Sequence, residues 1–346
     1  MASKDKPLTA KSSIGEWLAH PVGGQILRDA LASAGQSETA LRPVKLFSLQ
    51  RVASMSQGAM TDEMVAEWVA RANSGEAPSA AAEAAEAAAP PEAAPWVERV
   101  TPGRFEGRTV VVTGAGSGIG RATAARIVRE GGRVVAVDVS QSRLEELAAE
   151  FPAGVVAVAG DITKDADIAA VIAAAGDRID GLANVAGVMD DMTPIHEVSD
   201  AVWERVMAVN VTGLFKLTRA VVPVMLGAGG GSVVNVASEA ALRGSAAGLA
   251  YTASKHAVIG ITKSSSYMYA ASGIRFNAVA PGPVATNIQA SFASELGSER
   301  IGAAMAVLPP IATSEQLAAS ITFLLSDDGT NVTGAILPSD GGWSAI

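Results

Sequence analysis

The sequence predicts an α/β protein whose main domain is a doubly wound parallel sheet of about seven strands, preceded by a small helical module. Three observations lead to this expectation. Short, apolar, β-branched runs alternate with amphipathic stretches from residue 104 onward. A glycine-rich turn directly follows the first of these runs. A tract rich in Ala, Glu and Pro separates this region from residues 12–75.

Residues 12–75 are predicted to form a small accessory module of short amphipathic helices. Ser13 and Glu16 have the spacing of a capping box at a helix N-terminus. Apolar residues recur at helical spacing near Ile26 and again near Trp68. The segment has no cluster of acid–base or ligand residues. Docking, oligomerisation and a purely packed accessory role therefore all stay open for this module.

Residues 76–103 are predicted to link the two regions. Alanine and glutamate favour helix, while Pro78, Pro90, Pro91 and Pro95 interrupt it, so a semi-rigid or partly disordered tether is expected. Residues 104–346 then form the main domain.

The composition narrows the class of protein. Of 346 residues, 49% are hydrophobic and 18% are charged, against a usual charged share of roughly 25%, so we expect a large packed core. No run approaches the ~20 apolar residues of a membrane span, and the start of the chain lacks the apolar region of a signal peptide. We therefore expect a cytoplasmic protein that does not bind membranes.

Charge and metal-ligand content exclude two further functions. A net charge of −9 disfavours nucleic-acid binding, which needs a basic face. The chain has no cysteine, and its three histidines are scattered, so we expect no metal site.

Seven apolar runs are predicted to be buried strands. They are Thr109–Thr113, Val134–Val137, Val155–Ala159, Leu182–Val185, Val233–Val236, Phe276–Val279 and Ala335–Leu337. Helical patterns lie between them, for example at Ile119–Glu130, Val202–Met225 and Ala250–Ala271. This alternation implies a parallel sheet with helices on both faces.

The first predicted strand runs into a glycine-rich turn with the spacing GxxxGxG. Gly114, Gly118 and Gly120 lack the side chains that would keep a pyrophosphate away from backbone N–H groups. A helix follows, and its N-terminus presents partial positive charge to an anion. The turn therefore predicts a dinucleotide site.

Asp138 ends the second predicted strand, 18 residues after Gly120, where a ribose-binding acid is expected. A carboxylate there accepts hydrogen bonds from a ribose 2′-hydroxyl and repels a 2′-phosphate. Neither Ser117 nor Val139 offers a basic side chain to that phosphate. These residues favour NAD over NADP.

Four further residues follow in a fixed order. Asn210 lies in the Val202–Met225 helix pattern and Ser238 follows the fifth strand. Tyr251 and Lys255 are four residues apart and share a helix face. Together with the glycine-rich turn, this set resembles the short-chain dehydrogenase/reductase family of the classical type, over about residues 104–346. The resemblance implies a Rossmann-type dehydrogenase domain and assigns catalysis to these four residues.

The resemblance extends to the cofactor site. Asn184-Val185-Ala186-Gly187 resembles the family's Asn-Asn-Ala-Gly motif, with Val185 in place of the second Asn. Asp161-Ile162 resembles the pair that contacts adenine, and Pro281-Gly282 with Thr286 resembles the segment near the nicotinamide. The cofactor-binding residues implied are Gly114, Ser117, Gly118, Ile119, Gly120, Asp138, Asp161, Ile162, Asn184, Ala186, Gly187, Tyr251, Lys255, Pro281, Gly282, Val284 and Thr286.

Tyr251 is predicted to transfer the proton. A free tyrosine titrates near ~10, and we expect the Lys255 ammonium and an oxidised nicotinamide to lower the pKa of Tyr251. By resemblance, Ser238 would donate a hydrogen bond to the developing oxyanion, and Asn210 would hold a water that links Lys255 to solvent. His256 is interpreted as a packing residue.

Three stretches are expected to line the substrate site: Met189–Val198, Glu239–Leu249 and the segment after Thr286. They contain few charges, which suits a small neutral secondary alcohol or ketone. The candidate lining side chains are Met189, Met192, Ile195, Leu242, Leu249, Ile288, Phe292 and Met305. Asn287–Pro310 is predicted to form a mobile lid. The resemblance and the apolar C-terminus suggest a homotetramer, or at least a dimer.

The leading hypothesis is an NAD-dependent short-chain alcohol dehydrogenase or ketone reductase. One alternative is an NADPH-dependent 3-oxoacyl-thioester reductase, which Asp138 argues against. The other is a non-catalytic nucleotide-binding scaffold, which has no chemical need for Asn210, Ser238, Tyr251 and Lys255 together.

Overall fold

A computed structural model describes residues 7–33, 41, 44–45, 47–56, 60–73, 96–286, 291–305 and 307–345. The chain divides into two compact units, Met1–Trp96 and Val97–Ile346. Of the predicted linker, residues 76–95 lie outside the described residues, and 97–103 belong to the second unit. There Glu98 forms ion pairs with Arg126 (3.1 Å) and Arg129 (2.9 Å).

The first unit consists of short helices. They are α1 (Ile14–Ala19), α2 (Pro21–Ser33), α3 (Leu49–Met55) and α4 (Asp62–Ala72). The predicted capping box is present at the start of α1, where Ser13 and Glu16 each accept a hydrogen bond from the other's backbone N–H. Trp17 and Trp68 are buried in the apolar core of this unit. A single short helix cannot bury an indole, so several of the helices pack around these two side chains.

The second unit is built on the predicted seven-stranded parallel sheet. Its strands are β1 (Thr109–Thr113), β2 (Arg133–Asp138), β3 (Val155–Ala159), β4 (Gly181–Asn184), β5 (Gly231–Val236), β6 (Ile274–Pro281) and β7 (Ile336–Ser339). Their order is β3-β2-β1-β4-β5-β6-β7, and all neighbours are parallel. The order reverses between β1 and β4, and a doubly wound sheet binds its ligand at the carboxyl ends of the strands beside that point.

Helices cover both faces of the sheet, as the fold class predicts. One apolar cluster packs α5 (Gly118–Arg129), α6 (Gln141–Glu150) and α12 (Ser314–Leu325) on one face. On the other face lie α7 (Asp165–Ala175), α9 (Leu214–Gly227) and α10 (Leu249–Tyr269). The central strands are buried on both sides, which explains their continuous Val-rich runs.

The prediction of a single helix over Val202–Met225 is wrong in one respect. The structure has α8 (Asp200–Met207), a π-helical segment at Ala208–Gly213, and then α9. A π-helical turn inserts an extra residue that periodicity cannot reveal, and such turns often occur at functional sites. The run Asp200–Gly227 is long and apolar enough to span a membrane. In this fold, however, Leu217, Val221 and Met225 pack into the core below the sheet.

Candidate active site

The glycine-rich turn connects β1 to α5 and leaves the start of that helix open. The N-cap residue Ser117, which the structure describes, makes no capping hydrogen bond with its side chain. Gly114 has a φ of 67°, which favours glycine, and a side chain there would come within 3.1 Å of Ala186. Ile119 and Gly120 form the first turn of α5. The open N-terminus is a suitable site for an anionic pyrophosphate.

Asp138 lies at the end of β2 beside this turn. One carboxylate oxygen accepts a hydrogen bond from the Gly116 N–H (3.0 Å), and the other accepts one from the Ser140 N–H (2.9 Å). A side chain at Gly116 would come within 2.9 Å of the carboxylate. Gly116 was not predicted as a site residue, although it lies in the same motif. Arg143, an exposed residue whose Cβ lies against Gly116, was not predicted either.

Asp161 and Ile162 follow β3 and differ in their surroundings. The Asp161 carboxylate accepts hydrogen bonds from the Thr163 N–H (2.9 Å) and hydroxyl (2.8 Å), and these bonds lower the pKa of Asp161. The Ile162 side chain is 7% exposed and packs in the core against Gly213 of the π-helical segment. An adenine contact from Ile162 would therefore have to come from its backbone or the edge of its side chain.

The segment after β4 crosses directly over the glycine-rich turn. The Thr113 hydroxyl accepts hydrogen bonds from the N–H groups of Val185 and Ala186, both at 3.0 Å. The Asn184 side chain points into the interior, where its amide donates to Thr218 (3.0 Å) and Asn235 (2.8 Å). Because this side chain is engaged in the interior, the main chain of Asn184 is the part that is left for a cofactor contact.

The structure brings Tyr251, Lys255 and Ser238 together. The Ser238 side chain lies near the Tyr251 hydroxyl, where it favours the phenolate and opposes the rise in the pKa of Tyr251. The Lys255 amine lies 5.4 Å from the centre of the Tyr251 ring and donates to the Val236 carbonyl (2.8 Å). A side chain at Gly187 would come within 3.5 Å of that amine. The Ser238 hydroxyl accepts a hydrogen bond from the Ala240 N–H (3.1 Å), which leaves its proton available for donation.

Asn210 lies in the π-helical segment and is 1% exposed. Its amide oxygen accepts from the Val188 N–H (2.8 Å), and its NH₂ donates to the Val188 carbonyl (2.9 Å) and the Ser254 hydroxyl (3.1 Å). The side chain therefore holds the segment after β4 in place. Both N–H groups of the side chain are engaged, so a water that serves Lys255 would have to donate to an oxygen atom of Asn210.

The pKa of Tyr251 departs from the expectation. Burial removes solvent from the phenolate and raises the pKa of Tyr251 to about 12, with a smaller rise from the Asp190 carboxylate, while the Ser238 hydrogen bond opposes it. Burial also lowers the pKa of Lys255 to about 8. The lowering of the Tyr251 pKa was predicted for the site with an oxidised nicotinamide bound; in the protein without its cofactor, burial raises this pKa instead.

The predicted nicotinamide segment runs from the end of β6 toward the glycine-rich turn. Pro281 is the buried last residue of β6, and Gly282 fits closely against the backbone of Asp340. Val284 pairs with Ala312 in an isolated parallel bridge. Thr286 reaches the turn itself, since a side chain at Gly118 would come within 3.2 Å of its methyl group. The first and last cofactor motifs therefore meet across the cleft.

An apolar cluster surrounds Tyr251. It contains Met189, Met192, Phe292 and Met305 of the predicted lining, together with Ala240, Ala246, Ala247 and Ile301. Ile195 is 76% exposed and Leu242 is 37% exposed, and neither joins the cluster. Ile288 lies outside the described residues.

The predicted lid region contains a helix, α11 (Glu295–Met305). Gly297 of this helix packs against the Met192 carbonyl with no room for a side chain.

Asp190 is a further residue of this site that was not predicted from the sequence. Its carboxylate is 3% exposed and accepts hydrogen bonds from the N–H groups of Tyr251 (2.9 Å) and Met192 (3.1 Å). The available signal was an acidic residue two positions after the Gly187–Val188 pair, in an otherwise apolar segment.

Comparison with known proteins agrees with this architecture. A family model described as short chain dehydrogenase matches residues 108–297. The short-chain dehydrogenase/reductase cdmF of Talaromyces verruculosus is 41% identical over 258 residues, which cover 70% of this chain and 100% of that protein. The 3β-hydroxysteroid dehydrogenase 2 of Eggerthella lenta is 37% identical, covering 69% of this chain and 95% of that protein.

A solved structure is similar as well. The 3-ketoacyl-(acyl-carrier-protein) reductase from Brucella melitensis, complexed with NADH, is 31% identical with a TM-score of 0.63 and covers 69% of this chain and 99% of that one. These findings define an oxidoreductase of the nicotinamide-dependent type. The chain belongs to the short-chain dehydrogenase/reductase family.

Proposed function

We propose that the second unit interconverts a neutral secondary alcohol and its ketone by hydride exchange with NAD(H), with Tyr251 as the acid and base. The observation that carries the proposal is the convergence of three groups. The Ser238 side chain lies near the Tyr251 hydroxyl, and the Lys255 amine lies 5.4 Å from the centre of the same ring. Ser238 follows β5, Tyr251 and Lys255 lie on α10, and the Lys255 amine donates to the Val236 carbonyl at the end of β5.

The residues of the cleft fit a dinucleotide. The start of α5 carries N–H groups without a side-chain cap from Ser117, and the absence of a side chain at Gly116 lets Asp138 approach the turn. Thr286 lies on the opposite side of the cleft, next to Gly118 of the turn. When bound, NAD(H) supplies or accepts the hydride; the protein's own groups bind it and manage the proton.

The protonation state of Tyr251 suits ketone reduction. Because its pKa is raised to about 12, the phenol holds its proton at neutral pH and can donate it to a carbonyl oxygen. Ser238 stabilises the same oxygen by donating its free hydroxyl proton. The Lys255 amine lies 5.4 Å from the centre of the Tyr251 ring, so it is the nearby group that would resupply the proton through a water.

Asp138 supports NAD as the cofactor. Its carboxylate is fixed by two backbone N–H groups at the position expected for a ribose 2′-hydroxyl. One observation favours the runner-up, an NADPH-dependent 3-oxoacyl-thioester reductase: the exposed Arg143 follows close behind Asp138 and could receive a 2′-phosphate. We favour NAD because the Asp138 carboxylate is itself hydrogen-bonded to the Gly116 N–H of the glycine-rich turn.

The apolar cluster around Tyr251 supports a neutral substrate. Met189, Phe292 and Met305 are partly buried there and offer thioether and ring surfaces rather than charges. Such surfaces fit flat or cyclic hydrocarbon skeletons. The similarity to a 3β-hydroxysteroid dehydrogenase is consistent with a cyclic secondary alcohol.

A substrate screen tests the proposal. Purified protein is incubated with NAD⁺ or NADP⁺ and a panel of secondary, cyclic, steroidal and sugar alcohols, and formation of the reduced cofactor is followed by absorbance. We expect turnover of at least one cyclic secondary alcohol, faster with NAD⁺. Turnover only of 3-oxoacyl thioesters with NADPH would establish the runner-up. Tight cofactor binding without any turnover would favour a scaffold.

We also propose that the protein is a homotetramer or dimer. Phe215, Tyr267 and Met268 are 45%, 87% and 67% exposed on α9 and α10, and large apolar side chains on one surface often mark a subunit contact. Light scattering after size exclusion tests this, and a monomer at micromolar concentration would contradict it.

A further inference from the structure

Asp190 occupies an unusual place for a charged residue. It lies in the segment after β4, is 3% exposed, and accepts hydrogen bonds from the N–H groups of Tyr251 (2.9 Å) and Met192 (3.1 Å). Burying a carboxylate is costly unless hydrogen bonds compensate for the lost solvent. Two backbone donors from separate segments provide that compensation here.

One of these donors belongs to the first turn of the Tyr251 helix. The N-cap residue of α10 is Gly248, which has no side chain to cap the helix. Asp190 supplies the missing acceptor from another segment, and a side chain at Gly248 would come within 2.6 Å of its carboxylate. A negative charge at a helix N-terminus is favourable. The glycine and the distant acid therefore form one capping arrangement.

The other donor belongs to the wall of the substrate cluster. Met192 has a φ of 60° and is the one non-glycine residue with positive φ among those that the structure describes. Its side chain is 2% exposed and packs in the cluster that contains Tyr251. The hydrogen bond to Asp190 stabilises this strained turn. Asp190 thus holds both the acid–base residue and a wall residue.

We propose that Asp190 is a positioning residue of the active site: its buried carboxylate fixes the first turn of α10, and its negative charge disfavours the Tyr251 phenolate. This inference rests on the proposed function, because it assigns Asp190 a role only through Tyr251. It implies that the site is biased toward donating a proton to a ketone.

The other charged groups near Tyr251 do not account for this bias. Lys255, on α10 itself, would favour the phenolate rather than the phenol. Glu239, on the segment after β5, forms an ion pair with Arg243. The side chains that α11 contributes to the cluster, Ile301 and Met305, are uncharged. Burial is the largest cause of the raised pKa of Tyr251, and the Asp190 carboxylate is the neighbouring charge that adds to it.

The chain permits a direct titration, since it contains three tyrosines. Tyr267 is exposed and Tyr269 packs on Phe276, so Tyr267→Phe with Tyr269→Phe leaves Tyr251 as the one phenol. NMR of ¹³Cζ-labelled tyrosine then reports its pKa in the full chain. Asp190→Asn should lower that pKa by about one pH unit. Asp191→Asn, the matched control next to it, should leave the pKa unchanged.

Asp191 is a suitable control because its carboxylate accepts from the Thr193 hydroxyl (2.6 Å) and not from Tyr251. If Asp190→Asn does not fold, Asp190→Ser provides a smaller neutral variant with the same expected shift. Either neutral variant should also move the pH profile of alcohol oxidation to lower pH by the same amount. A loss of stability alone would change neither the pKa of Tyr251 nor the pH profile of alcohol oxidation.

The outcomes separate this inference from the proposed function. If Tyr251→Phe abolishes turnover while the neutral Asp190 variant titrates like its parent, the role of Asp190 is refuted and the proposed function stands. If Tyr251→Phe turns over normally, the proposed function fails whatever the titration gives. A lowered pKa together with a shifted pH profile supports both.

Discussion

The two halves of the cleft are built by different means. The cofactor half, at the ends of β1 and β2, relies on backbone N–H groups and on absent side chains, with Asp138 as its principal charge. The catalytic half relies on side chains from three separate segments: Asn210 in the π-helical turn, Ser238 after β5, and Tyr251 with Lys255 on α10. We infer that removing a side chain should reduce activity less in the first half than in the second, whereas side chains added at the glycines of the first half would not fit.

The largest effect is expected for Tyr251→Phe in the catalytic half. The variant lacks the proton donor, so turnover should fall roughly 10³-fold or more, while NADH binding measured by fluorescence stays within about twofold of the parent protein, since under ~0.5 kcal/mol is lost. Tyr269→Phe, on the same helix but packed on Phe276, should behave like the parent. Loss of NADH binding in Tyr251→Phe would mean that its role is misassigned.

The second effect concerns Lys255 and pH. Because the pKa of Lys255 is lowered to about 8, its amine is charged below that pH and neutral above it. Ketone reduction should therefore decline as the pH rises through about 8. In Lys255→Met the rate should be low and without this decline. Lys263→Met, an exposed lysine on the same helix, should keep the parent profile; an unchanged decline in Lys255→Met would assign it to another group.

A smaller effect is expected in the cofactor half. Asp138→Ala removes the acceptor for the ribose and the charge that repels a 2′-phosphate, so the NAD/NADP ratio of kcat/KM should fall by roughly ten- to a hundredfold. Adding Arg143→Ala should reverse part of the gain with NADP. An unchanged ratio in Asp138→Ala would remove the argument for NAD.

The smallest effect is expected from removing the first unit. A chain that starts at residue 97 keeps Glu98 with Arg126 and Arg129 and should fold and turn over like the full chain. A chain that starts at 104 loses this acid beside the buried Arg126, and its Tm should be lower by about 5 °C. Equal Tm values would show that residues 97–103 add no stability, and an insoluble product in both cases would place the first unit in the folding core.

The fold was predictable because its signals are local. Val-rich runs and the glycine-rich turn record strand burial and a tight connection, and the structure confirms the seven parallel strands. The π-helical turn at Ala208–Gly213 was not predictable, since one inserted residue leaves the apolar pattern almost intact. The acidic residue at position 190 is visible in the sequence, but its role was not predictable, because its partners, Tyr251 and Met192, are set by tertiary packing. The raised pKa of Tyr251 depends on burial, which spacing does not report.

The most direct test of the account is transfer of an isotope from the cofactor. NADH labelled with deuterium at C4 on either face is mixed with the ketone of the best substrate, and the alcohol is analysed by mass spectrometry. With one of the two labelled forms, the parent protein should place deuterium on the carbinol carbon, and Tyr251→Phe should form almost no labelled alcohol despite binding NADH. Labelled alcohol at the same rate from both proteins, or alcohol without deuterium from both labelled forms, would contradict it.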